Sequence, residues 1–161
     1  MGFVPGNMLS MAARARQSGD IVSKAKRSEM MRAVRQRDTK PERAVREILR
    51  GQGVYYRRNH PGLPGRPDFA NRSRGWAIFV HGCFWHGHRD CEKTKGGRPG
   101  RVPATNAEFW TTKIEGNRKR DARKAAQLRD MGLRVLTVWE CELRDGAALG
   151  RKLERFLERS S

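Results

Sequence analysis

A chain of 161 residues with a net charge of +18 is long enough for one ordinary domain with its own hydrophobic core. Its 35 Lys and Arg residues against 17 Asp and Glu residues indicate a surface that attracts polyanions, usually nucleic acid, although a merely soluble basic protein is the alternative. No apolar run approaches the ~20 residues of a membrane span and no signal peptide is evident, so the sequence predicts a cytoplasmic protein without a membrane partner.

The first residues lack the hydrophobic periodicity of a helix or strand. Residues 1–22 are therefore predicted to form a flexible leader, and residues 23–161 a single domain. Met8 and Met11 are alternative start positions within the leader.

Helix-start signals and short apolar runs define the predicted elements of the first half. Ser28 opens a short basic helix that runs to about Arg37, and the Thr39-x-x-Glu42 capping box opens a second helix that ends at Gly51 or Gly53. Predicted strands follow at 54–58, from 68 onward and at 76–80, separated by a Pro/Gly-rich loop at 61–67 and a turn at 71–75.

The second half alternates loops, helices and one strand. A basic loop at 93–101 precedes a second capping box at 105–108, which opens a long helix to about Asp130. The β-branched run at 134–139 predicts a fourth strand, and the residues at 147–159 a last amphipathic helix. This order predicts an α/β fold with a mixed sheet flanked by helices, an arrangement common among nucleases.

One segment holds three of the four histidines and two of the three cysteines. It runs from His81 to Cys91 and includes the adjacent aromatics Phe84 and Trp85. Histidine and cysteine bind transition metals, and histidine exchanges protons near pH 7. The segment therefore predicts a zinc site, a catalytic site or both.

Four side chains have the composition of a closed structural zinc site. Three thiolates and one imidazole suit tetrahedral Zn²⁺, and three cysteines cannot all pair as disulfides within one chain. The predicted ligands are Cys83, His88, Cys91 and Cys141. In the alternative interpretation, Cys141 is an ordinary buried cysteine.

Pro67 and Asp68 stand at the start of a predicted strand whose hairpin partner ends at His81. Metal-dependent nucleases place a Pro-Asp pair in this position, where the carboxylate holds Mg²⁺ through a hard oxygen ligand. His81 and His86 are then placed to exchange protons with water. The alternative interpretation makes Asp68 a turn residue and the histidines structural.

Consecutive aromatics beside basic loops suit insertion between base pairs. Phe84 and Trp85 are predicted to form such a wedge, and Trp110 in the first turns of the long helix joins them. Packing in the core is the alternative for each of these side chains.

Four segments together resemble the very-short-patch-repair (Vsr) DNA mismatch endonucleases, bacterial enzymes usually linked to DNA cytosine-5 methyltransferases. They are LPGRPDF (63–69), FVHGCFWHGH (79–88), VPATNAEFW (102–110) and RVLTVWECEL (134–143). The resemblance implies a strand-specific nick beside a T:G mismatch left by deamination of 5-methylcytosine. It also implies a restriction-endonuclease-like (PD-(D/E)XK-type) fold, catalytic Mg²⁺ and structural Zn²⁺. A monomer bound to nucleoid DNA is expected, with other mismatch-repair proteins as candidate partners.

The resemblance also implies roles for individual residues. Asp68 and the main-chain carbonyl of Val80, which replaces the familiar threonine, hold Mg²⁺. His86 activates water, and His81 is oriented by an aspartate that corresponds to Asp121. Glu42 corresponds to an acidic residue near the active site and is counted among the catalytic residues. Phe84, Trp85 and Trp110 form the aromatic wedge, and Met31 assists that wedge from the minor groove.

Two other functions are compatible with the sequence. A restriction-type endonuclease on the same fold would cut unmismatched sites, but it would have little use for an aromatic wedge. A non-catalytic, zinc-stabilised DNA-binding protein would not need Asp68 together with His81 and His86. Two residues, Arg89 and Asp90, separate His88 from Cys91 where the best-known family members have one, so Asp90 is an alternative oxygen ligand for zinc.

Overall fold

The computed structural model describes residues 38–89, Cys91 and residues 107–158. Its elements in chain order are α1 (Lys40–Gly51), β1 (Arg57–Arg58), β2 (Phe69–Asn71), β3 (Trp76–His81), α2 (Ala107–Asp130), β4 (Arg134–Trp139), a 3₁₀ helix (Glu140–Arg144) and α3 (Gly146–Glu158). The predicted leader, the basic helix to Arg37, and the loop at 93–101 lie outside the described residues, so the predicted domain division stays a prediction.

The four strands form one mixed sheet in the order β1-β2-β3-β4. The pairs β1–β2 and β2–β3 are antiparallel, whereas β4 lies parallel to β3. A parallel pair requires a long crossover, and α2 lies within the segment that connects the two strands. The predicted mixed sheet flanked by helices is confirmed.

Alternation along the strands divides the core into two clusters, one on each face of the sheet. On one face, Trp76 and Ile78 of β3 pack with apolar residues of α1 and α3. On the other face, Ala77 and Phe79 pack with Leu128 of α2. His81 follows the same alternation as Ala77 and Phe79, so this strand directs the histidine toward the α2 face.

The helix boundaries follow from their capping residues. The side chain of Thr39 accepts a hydrogen bond from the Glu42 N–H at the start of α1, which confirms the predicted capping box. After α2, Gly132 adopts a left-handed conformation (φ +82°), and the Leu133 N–H bonds the Leu128 carbonyl at 3.0 Å. The glycine ends the helix, and the predicted end of the long helix at about Asp130 is confirmed.

The predicted strand at 54–58 is mostly wrong, because only Arg57 and Arg58 pair with β2. The Val54 N–H bonds the Leu49 carbonyl at 3.1 Å, so this part of the chain completes the end of α1. The sequence also gave no sign of the 3₁₀ helix after β4. Among the helices in the described ranges, none has the length and apolar character that a membrane crossing requires.

Candidate active site and metal centre

The parallel pairing of β3 and β4 determines which residues meet at one end of the sheet. His81 is in register with Trp139, the last residue of each strand. Cys83 and Cys141 each follow two residues later, so both cysteines leave the sheet at neighbouring positions. The register therefore explains how residues far apart in sequence enter one cluster.

The four predicted zinc ligands converge beyond these strand ends. Their ligand atoms all lie within 4.8 Å of one another: Cys83, His88, Cys91 and Cys141. Nδ1 of His88 lies 3.4 Å from Sγ of Cys141, and the His88 ring stacks on Trp139 with centroids 4.2 Å apart. The cluster is thus compact, and Trp139 fixes the plane of its imidazole.

Burial raises the pKa of the Cys83 thiol to about 12, and it also raises the pKa of Cys141, whose neighbours include Cys83, Cys91 and Glu142. Thiols in this state are protonated at pH 7. A soft divalent cation would displace those protons, and three sulfurs with one nitrogen are the donors that zinc prefers. The donor set therefore fits zinc.

The hairpin of β2 and β3 places Asp68 beside the end of β3. Its Oδ2 accepts a 2.7 Å hydrogen bond from the Val80 N–H. Burial raises the pKa of Asp68 to about 6, the Val80 hydrogen bond opposes that rise, and the nearby charge of Glu42 adds to it. A partly buried carboxylate beside a second acidic group is a suitable environment for a divalent cation.

Glu42 is buried and bonded within the first turn of α1. One carboxylate oxygen accepts the Asp38 N–H at 2.8 Å, and the other accepts the Thr39 hydroxyl at 2.9 Å. Glu42 therefore caps the helix, and its charge is close enough to Asp68 to raise the pKa of that residue. Its predicted catalytic role stays a prediction beside this structural one.

His81 and His86 form a stacked pair. Their ring centroids are 3.9 Å apart and the planes differ by 8°. Burial and the neighbouring His86 lower the pKa of His81 to about 4. His81 is consequently neutral at pH 7, which allows the close approach of the second imidazole.

Asp121 of α2 bonds His86, at 2.6 Å from Nδ1. The predicted pairing of Asp121 with His81 is therefore wrong: His81 lies against the face of His86, and the carboxylate meets the ring edge of His86. Burial would raise the pKa of Asp121, but the His86 hydrogen bond and nearby positive charge bring it below its ordinary value. An ionised carboxylate only accepts hydrogen bonds, so Nδ1 of His86 carries the hydrogen.

Two glycines with positive φ allow α2 to approach the site loops. A Cβ on Gly87 (φ +61°) would lie 2.6 Å from Ile114 and 2.8 Å from Arg118. A Cβ on Gly65 (φ +76°) would lie 2.7 Å from Lys124. Asp121 lies between these two contacts along α2, which explains how the helix reaches His86.

The predicted wedge residues lie together in one aromatic cluster. The ring centroids of Trp110 are 5.7 Å from Phe84 and 6.0 Å from Trp85. Phe109 extends the cluster, at 5.3 Å from Trp110, and is 48% exposed. Sequence reasoning missed Phe109, although its position beside Trp110 at the start of a helix was a usable signal.

Two residues from the sequence predictions fall outside the described part of the chain. They are Met31, predicted to assist the wedge, and Asp90, the alternative zinc ligand. The other predicted site residues divide into four groups: Asp68 with Glu42 and Val80, the histidines with Asp121, the zinc ligands, and the aromatic cluster.

Partly buried carboxylates, a stacked histidine pair and a group of three cysteines and one histidine that could hold a metal ion lie at one end of a mixed sheet, and these features are typical of a hydrolase site. Comparison with known proteins identifies the family within this class. The family model of DNA mismatch endonuclease Vsr matches residues 19–93. The DNA mismatch endonuclease Vsr of Escherichia coli K12 is 44% identical over 143 residues, which cover 86% of this chain and 87% of that protein.

Nicking enzymes are also similar to this chain. The type II nicking enzyme V.XorIIP of Xanthomonas oryzae is 44% identical over 88% of this chain and 98% of its own length. The type II nicking enzyme V.NmeAIP of Neisseria meningitidis is 38% identical over 86% of this chain and 94% of its own length. The chain belongs to the Vsr family of DNA mismatch endonucleases. It is thus a DNA endonuclease that hydrolyses phosphodiester bonds, and DNA is its partner.

Proposed function

We propose that this endonuclease makes a single strand-specific nick beside a T:G mismatch left by deamination of 5-methylcytosine. The observation that carries the proposal is the cluster of His81, His86 and Asp121 in a chain of this family, with Asp68 close enough to His86 for their charges to interact. We propose Mg²⁺-dependent hydrolysis as the reaction. The mixed sheet with Asp68 directly before β2 also supports a restriction-endonuclease-like fold of the PD-(D/E)XK type.

His86 is the proposed base that activates water. Its Nδ1–H is held by the Asp121 carboxylate at 2.6 Å, which leaves Nε2 with the lone pair that accepts a proton. His81 remains neutral and lies flat against the His86 ring, so it limits rotation of that ring. Asp121 therefore serves as a positioning residue for His86, and the same carboxylate stabilises the imidazolium that proton transfer produces.

Asp68 and the main-chain carbonyl of Val80 are the proposed magnesium ligands. Support comes from the pKa of Asp68, which is raised to about 6, and from the nearby charge of Glu42. A bound cation would offset both the cost of burying the charged Asp68 carboxylate and its repulsion by Glu42. When bound, magnesium would neutralise charge that develops on the phosphate group during hydrolysis.

Zn²⁺ is the proposed ion at Cys83, His88, Cys91 and Cys141. A complete set of four protein ligands leaves no open position for a reacting water, so we assign this ion a structural role. The cluster would tie the segment that carries His86 to the residues after β4. Asp68 and the histidines would then keep their relative positions when DNA binds.

The aromatic cluster is the proposed mismatch sensor. Phe84, Trp85 and Trp110 would insert between base pairs, which is easiest where the local pairing is weak. Met31 would assist from the minor groove. The basic surface, at +18, would hold the DNA backbone during this distortion.

We further propose that the enzyme acts as a monomer on nucleoid DNA in the bacterial cytoplasm, with other mismatch-repair proteins as candidate partners. The three relatives reported above come from bacteria, which supports this setting. A single-domain chain with all the site residues in one molecule supports action as a monomer.

The experiment that tests the chemistry compares wild type with Asp68→Ala on a labelled duplex that contains one T:G pair. We expect wild type to nick in Mg²⁺ and not in EDTA. The variant should bind the duplex but not cleave it, because the substitution removes a metal ligand and leaves the phosphate contacts intact. Undiminished cleavage by Asp68→Ala would overturn the proposed mechanism.

A further inference from the structure

Lys124 lies on the same face of α2 as Asp121, one turn further along the helix. Its side chain crosses Gly65: a Cβ on that glycine would lie 2.7 Å from Cδ, 3.0 Å from Cβ and 3.1 Å from Cγ of Lys124. The aliphatic part of the lysine is thus in close contact with the loop backbone. Its ammonium group extends beyond that contact.

The loop under Lys124 is the one that leads to Asp68. A 3.0 Å hydrogen bond from the Arg66 N–H to the Leu63 carbonyl closes a turn, with Pro64 and Gly65 at its centre. Proline followed by a glycine of positive φ is typical of a type II turn, which has a fixed shape. Lys124 is therefore held by a rigid element three residues before Asp68.

The charge of Lys124 acts on the residues of the histidine site. It lowers the pKa of both His81 and Asp121. These effects agree with the geometry: Lys124 lies one helical turn from Asp121, whose carboxylate bonds His86, so the lysine stem is beside the site of the proposed reaction.

The Lys124 ammonium forms no direct ion pair or hydrogen bond among the described residues, although its charge acts on the Asp121 carboxylate. Arg46 and Arg58 bond Asp38, and Lys152 bonds Glu142, whereas no ion pair or hydrogen bond of the Lys124 ammonium occurs in residues 38–89, Cys91 and 107–158. Lys124 as a whole is half-buried, and its ammonium group is more stable when an anion accepts its hydrogens. The anion that this enzyme brings to the site is a DNA phosphate.

We propose that the Lys124 ammonium binds a non-bridging oxygen of the phosphodiester that is cleaved, which makes Lys124 a further catalytic residue. The inference rests on the proposed function, because it assigns the cleaved phosphate to the histidine site. A fixed positive charge at that oxygen stabilises the negative charge that develops during hydrolysis. Its contribution is therefore larger in the transition state than in the bound substrate.

Three variants test the proposal. Lys124→Met keeps an unbranched stem against Gly65 and removes the charge, and Lys124→Arg keeps the charge. Lys119→Met is the matched control, since Lys119 is exposed and lies about 140° around α2 from Lys124. On a T:G duplex we expect kcat to fall by ~10²-fold for Lys124→Met, by much less for Lys124→Arg, and by less than ~2-fold for Lys119→Met.

Binding measured without divalent cations gives an independent readout. Loss of one phosphate contact should reduce the slope of log affinity against log salt by about 0.9 in Lys124→Met, and arginine should restore it. An unchanged slope with a lowered Tm would overturn the proposal in favour of a packing role, and so would unchanged turnover in Lys124→Met. If wild type fails to nick the T:G duplex, the proposed function fails, while the salt slope still decides whether Lys124 contacts phosphate.

Discussion

The Asp121 carboxylate of α2 holds Nδ1 of His86 at 2.6 Å, across 35 positions of sequence. The His81 ring stacks on the face of the His86 ring, and the two ring centroids are 3.9 Å apart. His86 is thus fixed at its edge by a carboxylate and on its face by a second imidazole. A base held in one orientation keeps its remaining nitrogen directed at one place.

This bond predicts strong coupling between Asp121 and His86. We expect His86→Ala to reduce the nicking rate by ~10²–10⁴-fold, the usual range for a lost general base. Asp121→Ala should cause a smaller loss, because the imidazole remains but is no longer held. The double variant should be no slower than His86→Ala alone, whereas a rate equal to the product of the two single effects would show that the residues act independently.

Asp68 should destabilise the fold in EDTA above its raised pKa. Between its ordinary pKa of 3.8 and the folded value of about 6, the folded chain binds more protons than the unfolded chain, so stability falls as pH rises. Asp68→Asn removes this loss. We expect the variant to be more stable than wild type at pH 7 in EDTA by on the order of 2–3 kcal/mol, measured by urea denaturation.

Magnesium provides the matched control for that measurement. It should stabilise wild type at pH 7 and leave Asp68→Asn unchanged, because the proposed ligand is missing. His81 titrates over an overlapping pH range. Because His81 is present in both proteins, its contribution to the pH dependence of stability cancels when the two are compared. Equal stability of the two proteins in EDTA at every pH would contradict the raised pKa of Asp68.

Trp85 and Trp76 should respond differently to truncation. Trp76 is fully buried in the sheet core, so Trp76→Ala should reduce the free energy of unfolding by ~3–5 kcal/mol. Trp85 is only partly buried, and Trp85→Ala should cost far less stability while the folded protein loses mismatch nicking. A severe loss of stability with normal nicking by the folded fraction would identify Trp85 as a core residue.

The metal cluster predicts one tightly bound zinc per chain. Metal analysis should find it retained in Asp90→Ala and lost from Cys91→Ser, because Cys91 lies in the cluster and thiolate is the stronger zinc ligand. Removal of the ion by a chelator should also lower the Tm of wild type. Zinc lost only from the Asp90 variant would place the ligand one residue earlier.

Sequence patterns predicted the elements whose local signals agree with their packing. The run at 134–139 forms β4 as predicted, and the Thr39–Glu42 capping box begins α1 as predicted. The strand predicted at 54–58 is too long, because the Val54 N–H bonds the Leu49 carbonyl at the end of the preceding helix. That bond depends on the glycine-assisted end of α1, which strand propensity does not describe.

The sequence predicts which residues belong to the site, but it does not predict which of their side chains bond one another. The zinc ligands were all named from sequence because cysteine and histidine are rare and concentrated here. The partner of Asp121 was not, since the choice between His81 and His86 depends on how closely α2 approaches the loop at Gly87. The role proposed here for Lys124 could not be predicted either, because one lysine among 35 basic residues carries no local signal.

The most direct test of the proposed function is strand-resolved nicking by wild type in Mg²⁺. Three duplexes, labelled on both strands, would differ only in one pair: T:G, C:G or T:A. We predict one nick, in the strand that carries the mismatched thymine, and no comparable cleavage of either matched duplex. Cleavage of C:G or T:A at the T:G rate would contradict mismatch recognition and favour a restriction-type endonuclease on the same fold.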